Sequence, residues 1–288
     1  MIPAAFAYER ADSARHALAL LSEHGDEAKL LAGGHSLLPL MKLRLARPSV
    51  LVDVGRLREL SFIREEADAI AIGALTRHAD LERSEVLARD CPIVARVAGE
   101  IGDPQVRHRG TIGGSLAHAD PASDLPAVMV ALGAELTILA ADGSERRTAA
   151  EGFFRGLFEP DLSATEMLTE IRVPKLGAGT GWSAIKFHRR AQDWALVGVA
   201  AVIRADGAAR VALTNMADRP LRAKAVEESL ASGADVAAAA QEAARGASPP
   251  SDASGSAEYR TALAKVLVRR ALEEALARAN ASSLARQR

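Results

Sequence analysis

Two glycine pairs constrain this chain more than any other feature. The first lies in Ala32-Gly33-Gly34-His35-Ser36, and the second, 80 residues on, lies in Thr111-Ile112-Gly113-Gly114-Ser115. Each follows a short apolar stretch and precedes a segment that reads as helix. Backbone N–H groups in such a turn converge on an anion, and a following helix N-terminus adds positive potential. One Gly-Gly pair is an ordinary turn. Two, each with a nearby Ser, predict two loops that clamp one pyrophosphate from opposite sides.

Length and charge bound the rest. At 288 residues the chain exceeds one average domain, so two or three subdomains are expected. Its net charge of −1 argues against a broad nucleic-acid or anionic-membrane surface. No uninterrupted apolar run of about 18 residues suggests a transmembrane helix. The start, Met1-Ile2-Pro3-Ala4-Ala5-Phe6, has no basic region ahead of an apolar core, so no signal peptide is read and a cytoplasmic location is expected. The single cysteine, Cys91, excludes an internal disulfide and an iron–sulfur cluster, which needs about four cysteines. Cys91 precedes Pro92 at an expected helix start and reads as a structural thiol.

The order of elements is mixed, which predicts an α+β fold. Asp12 or Ser13 can cap a helix that ends near Gly25. Residues 29–32 read as a strand running into the first glycine turn, 37–45 as a short helix and 49–54 as a buried strand. Residues 62–64 and 69–72 form a hairpin, and one or two helices cover 76–90, with another at 92–100. After the second glycine pair, 122–132 is a helix with Val128, Met129 and Leu132 inward. Residues 135–140 and 146–149 form a second hairpin, and 167–173 is a further strand. The run Gly177-Ala178-Gly179-Thr180-Gly181 marks the domain boundary. Beyond it, 182–188, 196–204 and 208–214 predict a three-stranded antiparallel sheet, followed by helices at 222–231 and 235–244. A last helix over 257–279 carries Tyr259, Leu263, Val266, Leu267 and Leu276 largely on one side.

Some chemistries are disfavoured directly. The 177–181 run has the wrong spacing for a dinucleotide-binding fingerprint and leads into a strand rather than a helix. No Gly-Lys dipeptide occurs, so there is no Walker A loop. His16, His24, His78, His108, His118 and His188 are scattered without zinc spacing. His35, inside the first glycine loop, is either an exposed loop residue or a donor near phosphate or ribityl oxygens. In His118-Ala119-Asp120-Pro121-Ala122-Ser123-Asp124, Asp120 or Ser123 can cap the following helix, which leaves Asp124 for ligand hydroxyls. The cationic stretch Lys186-Phe187-His188-Arg189-Arg190-Ala191-Gln192-Asp193-Trp194 is either a solvated strand end or a wall beside an anionic, electron-rich cofactor.

Residues 32–57 (AGGHSLLPLMKLRLARPSVLVDVGRL), 102–126 (GDPQVRHRGTIGGSLAHADPASDLP) and 186–194 together resemble the FAD-binding medium subunits of molybdenum-containing hydroxylases. Within that family the resemblance is strongest to the medium subunits of aerobic carbon monoxide dehydrogenases, over nearly the whole chain. It implies a PCMH-type (vanillyl-alcohol-oxidase-like) FAD-binding domain over residues 1–176, in subdomains of about 1–55 and 56–176. A flavoprotein C-terminal domain follows over 177–288.

The same resemblance implies site residues. Lys29, Leu30 and Leu31 would line the adenine and ribose end of FAD. The loops Ala32, Gly33, Gly34, His35, Ser36 and Thr111, Ile112, Gly113, Gly114, Ser115 would hold the pyrophosphate and ribityl chain through N–H groups and hydroxyls. Ile101 would pack on the flavin, Asp124 would accept from FAD hydroxyls, and the Leu168 backbone would sit near adenine. Lys186 would lie near the pyrimidine edge of the isoalloxazine, and Trp194 would cover or border the ring. Ser115 stands where many relatives have Asn.

By resemblance, this chain carries no catalytic residue or metal of its own. A large subunit would carry the molybdenum cofactor, with copper in a carbon monoxide dehydrogenase, and a small subunit two [2Fe–2S] clusters. The whole would assemble as a dimer of heterotrimers. Electrons would pass from the clusters to FAD and on to a quinone or the respiratory chain, and the complex would sit in the cytoplasm, at the inner face of the membrane. The same role in a purine, caffeine, nicotine or aromatic hydroxylase is a second reading. A stand-alone flavin oxidase or flavin-binding module is a third, although no acid or base cluster beyond the FAD motifs supplies a substrate site.

Overall fold

The computed structural model describes residues 2–284 of the chain. Its first unit is a small sheet of strands Ala7–Arg10, Val50–Asp53 and Ala28–Leu31, in that spatial order and all parallel. The N-terminal strand has no buried residue, and no apolar alternation in the sequence marks it as a strand. Helix Ala14–His24 covers the sheet through Ala17, Leu18, Leu20 and Leu21. Ser13 caps it, its hydroxyl accepting from the His16 N–H at 3.1 Å, and the helix stops at Gly25 with φ 56°.

The second unit is an antiparallel sheet of five strands in the order Ile63–Glu65, Ala69–Gly73, Glu166–Pro174, Glu135–Ala140 and Glu145–Ala149. Both expected hairpins are present, and the long strand Glu166–Pro174 joins them. Helices His78–Glu82, Glu85–Asp90 and Pro92–Ala98 pack beside this sheet. Cys91 joins the last two, fully buried, and burial pushes its thiol up to about 12. That is the environment of a small apolar core residue rather than a reactive thiolate.

The third unit departs from the expected three strands. Gly181–Phe187, Val197–Ile203 and Ala209–Thr214 pair antiparallel, and Leu221–Arg222 adds a fourth, two-residue strand. So short a strand carries no periodicity of its own and forms only because a neighbour offers free ladder groups. The expected helix over 222–231 begins at Lys224. The one over 235–244 is an α-helix, Val236–Ala240, that tightens into a 3₁₀ turn, Gln241–Ala244.

Val197–Ile203 is buried at every residue because it serves two cores. Val197, Val199, Ala201 and Ile203 face the long C-terminal helix, Ala257–Leu284. Ala200 and Val202 face the core of the five-stranded sheet. Helix Asp124–Leu132 lies between that sheet and the C-terminal one, so Leu125 to Leu132 are all buried rather than a single stripe.

The long helix bears out part of the expected apolar face, with Leu267 buried and Leu263 packed against the core, and corrects the rest. Tyr259, Val266 and Leu276 are exposed, whereas Ala264, Leu267, Val268, Ala271, Leu272 and Ala275 are buried. Small residues let the helix backbone approach the sheet: a Cβ added at Gly181 would lie 1.8 Å from the Ala275 carbonyl oxygen. The bulky residues misled because close approach selects alanine.

His78, at the start of its helix, is 4% exposed, and its Nδ1 has no hydrogen-bond partner among the described residues. Burial, with the nearby charges of His35 and Arg107, lowers its imidazole to about 4. The native state therefore stays unprotonated where the unfolded chain takes up a proton. Stability is lost as pH falls from about 6.5 toward 4. Urea unfolding at pH 7 and pH 5 should show a loss of up to about 2 kcal/mol from this group. His78→Gln should flatten that dependence, and an unchanged pH slope in the variant would refute the assignment.

Candidate FAD site

The first glycine segment leaves the carboxyl end of strand Ala28–Leu31, where parallel sheets of α/β type commonly bind ligands. Lys29 and His35 are exposed, while Leu30, Leu31, Ala32, Gly33, Gly34 and Ser36 are half-buried. Helix Leu37–Lys42 follows and is shorter than the expected 37–45. It ends at Leu43, and Arg44 adopts φ 62°. Gly34 has φ 79°, a conformation that favours glycine. Among the described residues, the backbone N–H groups of Gly33, Gly34, His35, Ser36 and Leu37 have no intramolecular acceptor, and the Ser36 hydroxyl makes no capping bond.

The second segment differs from the expected loop. The pair Gly113-Gly114 lies inside the first turn of helix Ile112–His118, which Thr111 caps. Its N–H groups are already used. Ile112 donates to the Thr76 carbonyl, Gly113 to that of Ala74, Gly114 to the Thr111 hydroxyl and Ser115 to the Thr111 carbonyl, at 2.8–3.1 Å. The Thr111 N–H and the Ser115 hydroxyl have no partner among the described residues. The expected row of N–H groups is therefore on one side only. Gly113 serves packing: an added Cβ would lie 2.5 Å from the Ala74 Cβ and 2.6 Å from its carbonyl oxygen.

The fold does bring the two segments together. A Cβ at Gly33 would lie 2.2 Å from the Arg109 carbonyl oxygen and 2.9 Å from the Gly110 Cα. A bridge between Arg77 and Thr111 fixes the second segment, with the His78 N–H donating to the Gly110 carbonyl at 3.0 Å. Beside the first loop, Gly55, Arg56, Leu57, Arg58, Ser61, Leu75 and Arg77 line an open groove. Its three guanidinium groups suit an anion. Leu168 is buried at a bulge in its strand. The next residue, Thr169, accepts the Ala74 N–H, and Ala74 accepts that of Gly113.

A second cluster forms around Asp124, and it corrects the expectation that this carboxylate is left free. Lys186 Nζ lies 2.7 Å from Asp124 Oδ2, with side chains 8% and 11% exposed, and also donates to the Glu100 carbonyl at 3.1 Å. Burial pushes the Asp124 carboxyl above the usual carboxylate range, against the pull of the Lys186 ammonium. The half-buried Ile101 follows Glu100 directly. Neither expected side-chain cap forms on the helix. Asp120 accepts from the Ala122 N–H at 2.9 Å, and Ser123 occupies the cap position without a side-chain bond. A cavity of about 20 Å³ beside the pair is bounded by Val97, Val128, Gly198 and Thr214 among others. His188 Nδ1 is buried without a hydrogen-bond partner among the described residues.

Trp194 is 60% exposed on the loop between Phe187 and Val197, and no ring contact joins it to another described residue. Sequence reasoning missed the Arg109–Gly110 backbone, the groove arginines and the Glu100 carbonyl. All are defined by long-range approach, and only the clustering of Arg56 and Arg58 was visible as a signal. Among the described residues, no group of three or more His, Cys, Asp or Glu could hold a metal ion. A row of free N–H groups, a glycine-walled approach and a flanking arginine groove fit the diphosphate of FAD.

Comparison with known proteins identifies the family. Residues 4–176 match the FAD binding domain in molybdopterin dehydrogenase, and residues 183–275 match the CO dehydrogenase flavoprotein C-terminal domain. The chain is 44% identical to the carbon monoxide dehydrogenase medium chain of Hydrogenophaga pseudoflava, over 96% of this chain and 99% of that one. It is 41% identical to the 6-hydroxypseudooxynicotine dehydrogenase complex subunit alpha of Paenarthrobacter nicotinovorans, over 97% of each. A chain of the solved carbon monoxide dehydrogenase from Hydrogenophaga pseudoflava superposes with a TM-score of 0.93 at 46% identity, covering 96% of this chain and 99% of that one. The chain therefore belongs to the family of FAD-binding medium subunits of the molybdenum hydroxylases, and it is an oxidoreductase subunit.

Proposed function

We propose that this chain is the electron-transfer subunit of an aerobic molybdenum–copper carbon monoxide dehydrogenase. The observation that carries the reading is the near full-length similarity to a carbon monoxide dehydrogenase medium chain, at 44% identity. When bound, FAD supplies the redox centre between the [2Fe–2S] clusters of a small partner subunit and an external acceptor, a quinone or the respiratory chain. A large partner subunit carries the molybdenum cofactor and copper and oxidises the substrate, in a dimer of heterotrimers. Among the described residues no helix is long and apolar enough to cross a membrane. The complex is assigned to the cytoplasm, at the inner face of the membrane.

Within the chain, the N–H groups from Gly33 to Leu37 and the Ser36 hydroxyl bind the diphosphate. Thr111 and Ser115 close its other side, with Ile112, Gly113 and Gly114 shaping that wall. Lys29, Leu30, Leu31 and the Leu168 backbone flank the adenosine end. Ile101, Asp124 and Lys186 serve the ribityl and flavin end, and Trp194 borders the ring. Lys186, already held by Asp124 and the Glu100 carbonyl, is a fixed cation that favours negative charge on a group placed beside it. The 41% identity to a subunit of a 6-hydroxypseudooxynicotine dehydrogenase complex favours a second reading, the same role beside a different large subunit.

Three measurements test this. The complex purified from its native host should contain flavin, iron, molybdenum and copper, and carbon monoxide should bleach its spectrum. Flavin, iron and molybdenum without copper and without that response would support the second reading. In the purified chain, Gly33→Val should lose FAD, because its side chain has no space beside the Arg109 carbonyl; full flavin stoichiometry would contradict the loop assignment. Lys186→Met leaves Asp124 buried and unpaired, and should destabilise the flavin-free chain by roughly 3 kcal/mol in chemical unfolding. Adding Asp124→Asn should recover most of that loss, and strictly additive losses would exclude the pair as an energetic unit.

A further inference from the structure

Asn215 stands between two parts of the proposed site that otherwise belong to different domains. It follows strand Ala209–Thr214 in the left-handed conformation, with φ 61°. Its backbone N–H donates to the Pro121 carbonyl at 2.8 Å, within the turn that carries Asp120 and leads to Asp124. Its side-chain Nδ2 donates to the Ala195 carbonyl at 2.8 Å, one residue beyond Trp194. One half-buried residue thus holds both the Asp124 turn and the Trp194 loop.

The neighbouring contacts explain why this tie sets the position of the loop. Leu196 is fixed on both sides: its N–H donates to the Phe187 carbonyl at 2.8 Å, and its carbonyl accepts from the buried Arg260 guanidinium. Arg260 in turn pairs with Asp252 at 2.8 Å. These bonds anchor the root of the loop to its own sheet and helix. The Asn215 amide is the bond that ties the residue next to Trp194 to a segment also fixed on the 120–124 turn. Asn suits both duties, because it tolerates positive φ and its amide reaches a nearby carbonyl.

We propose that Asn215 is a positioning residue that sets Trp194 against the flavin relative to Asp124 and Lys186. The inference rests on the FAD reading above. Asn215→Gly keeps the left-handed backbone and deletes the amide, whereas Asn215→Asp keeps the size and replaces the donor with an acceptor facing the Ala195 carbonyl.

The test uses the full chain with Trp182→Phe, which leaves Trp194 as the one tryptophan, labelled with 5-fluorotryptophan. FAD binding should shift the single ¹⁹F resonance, with flavin bound at one per chain. Asn215→Gly and Asn215→Asp should retain flavin at that stoichiometry while the FAD-induced shift falls by at least half. The same shift in both variants as in the parent would overturn the proposal, as would a parent that binds FAD without any shift. A parent that binds no FAD would overturn the FAD reading itself and the proposal with it.

Discussion

Gly33 lies so close to the Arg109–Gly110 backbone that no side chain fits between them, and the candidate site depends on that approach. It brings together segments 80 residues apart in sequence, one leaving the parallel sheet and the other opening helix Ile112–His118. The second segment is held from behind by bonds to Ala74, Thr76 and His78, so it forms a rigid wall. The first segment has few such bonds and keeps its N–H groups open. Rigidity on one side and unsatisfied donors on the other are what a preorganised anion site requires.

The Asp124–Lys186 cluster, the proposed flavin end, is organised by a different force. Lys186 and Asp124 come from a strand of the C-terminal sheet and from the helix packed between the two sheets. A buried ion pair is costly to form and costlier to half-remove, so it adds little net stability but defines one geometry. Here it links strand Gly181–Phe187 of the C-terminal sheet to helix Asp124–Leu132. Val197–Ile203 reinforces the same junction by contributing to both cores.

Much of this was legible in the sequence wherever the determining contacts are local. The Asp12-Ser13 pair announces its helix, the 135–140 and 146–149 runs their hairpin, and the first glycine pair the turn that leaves strand Ala28–Leu31. What was not legible depends on distant partners. Nothing near Gly114 says that the N–H groups of its segment are already taken by Thr111, Ala74 and Thr76. Nothing near Asp124 says that Lys186 occupies it. The buried face of the last helix was read only in part, at Leu263 and Leu267, because Ala264, Ala271 and Ala275 are chosen for close approach rather than for hydrophobic size. Resemblance to a family supplied the ligand, and the structure supplied the division of labour between the two glycine segments.

That division is tested most directly by amide hydrogen exchange on the full chain with and without FAD. Protection should appear at Gly33 to Leu37, whose N–H groups have no acceptor among the described residues, and should change little at Ile112 to Ser115, whose N–H groups are already bonded. Stoichiometric FAD binding that leaves the first segment exchanging freely would contradict the account.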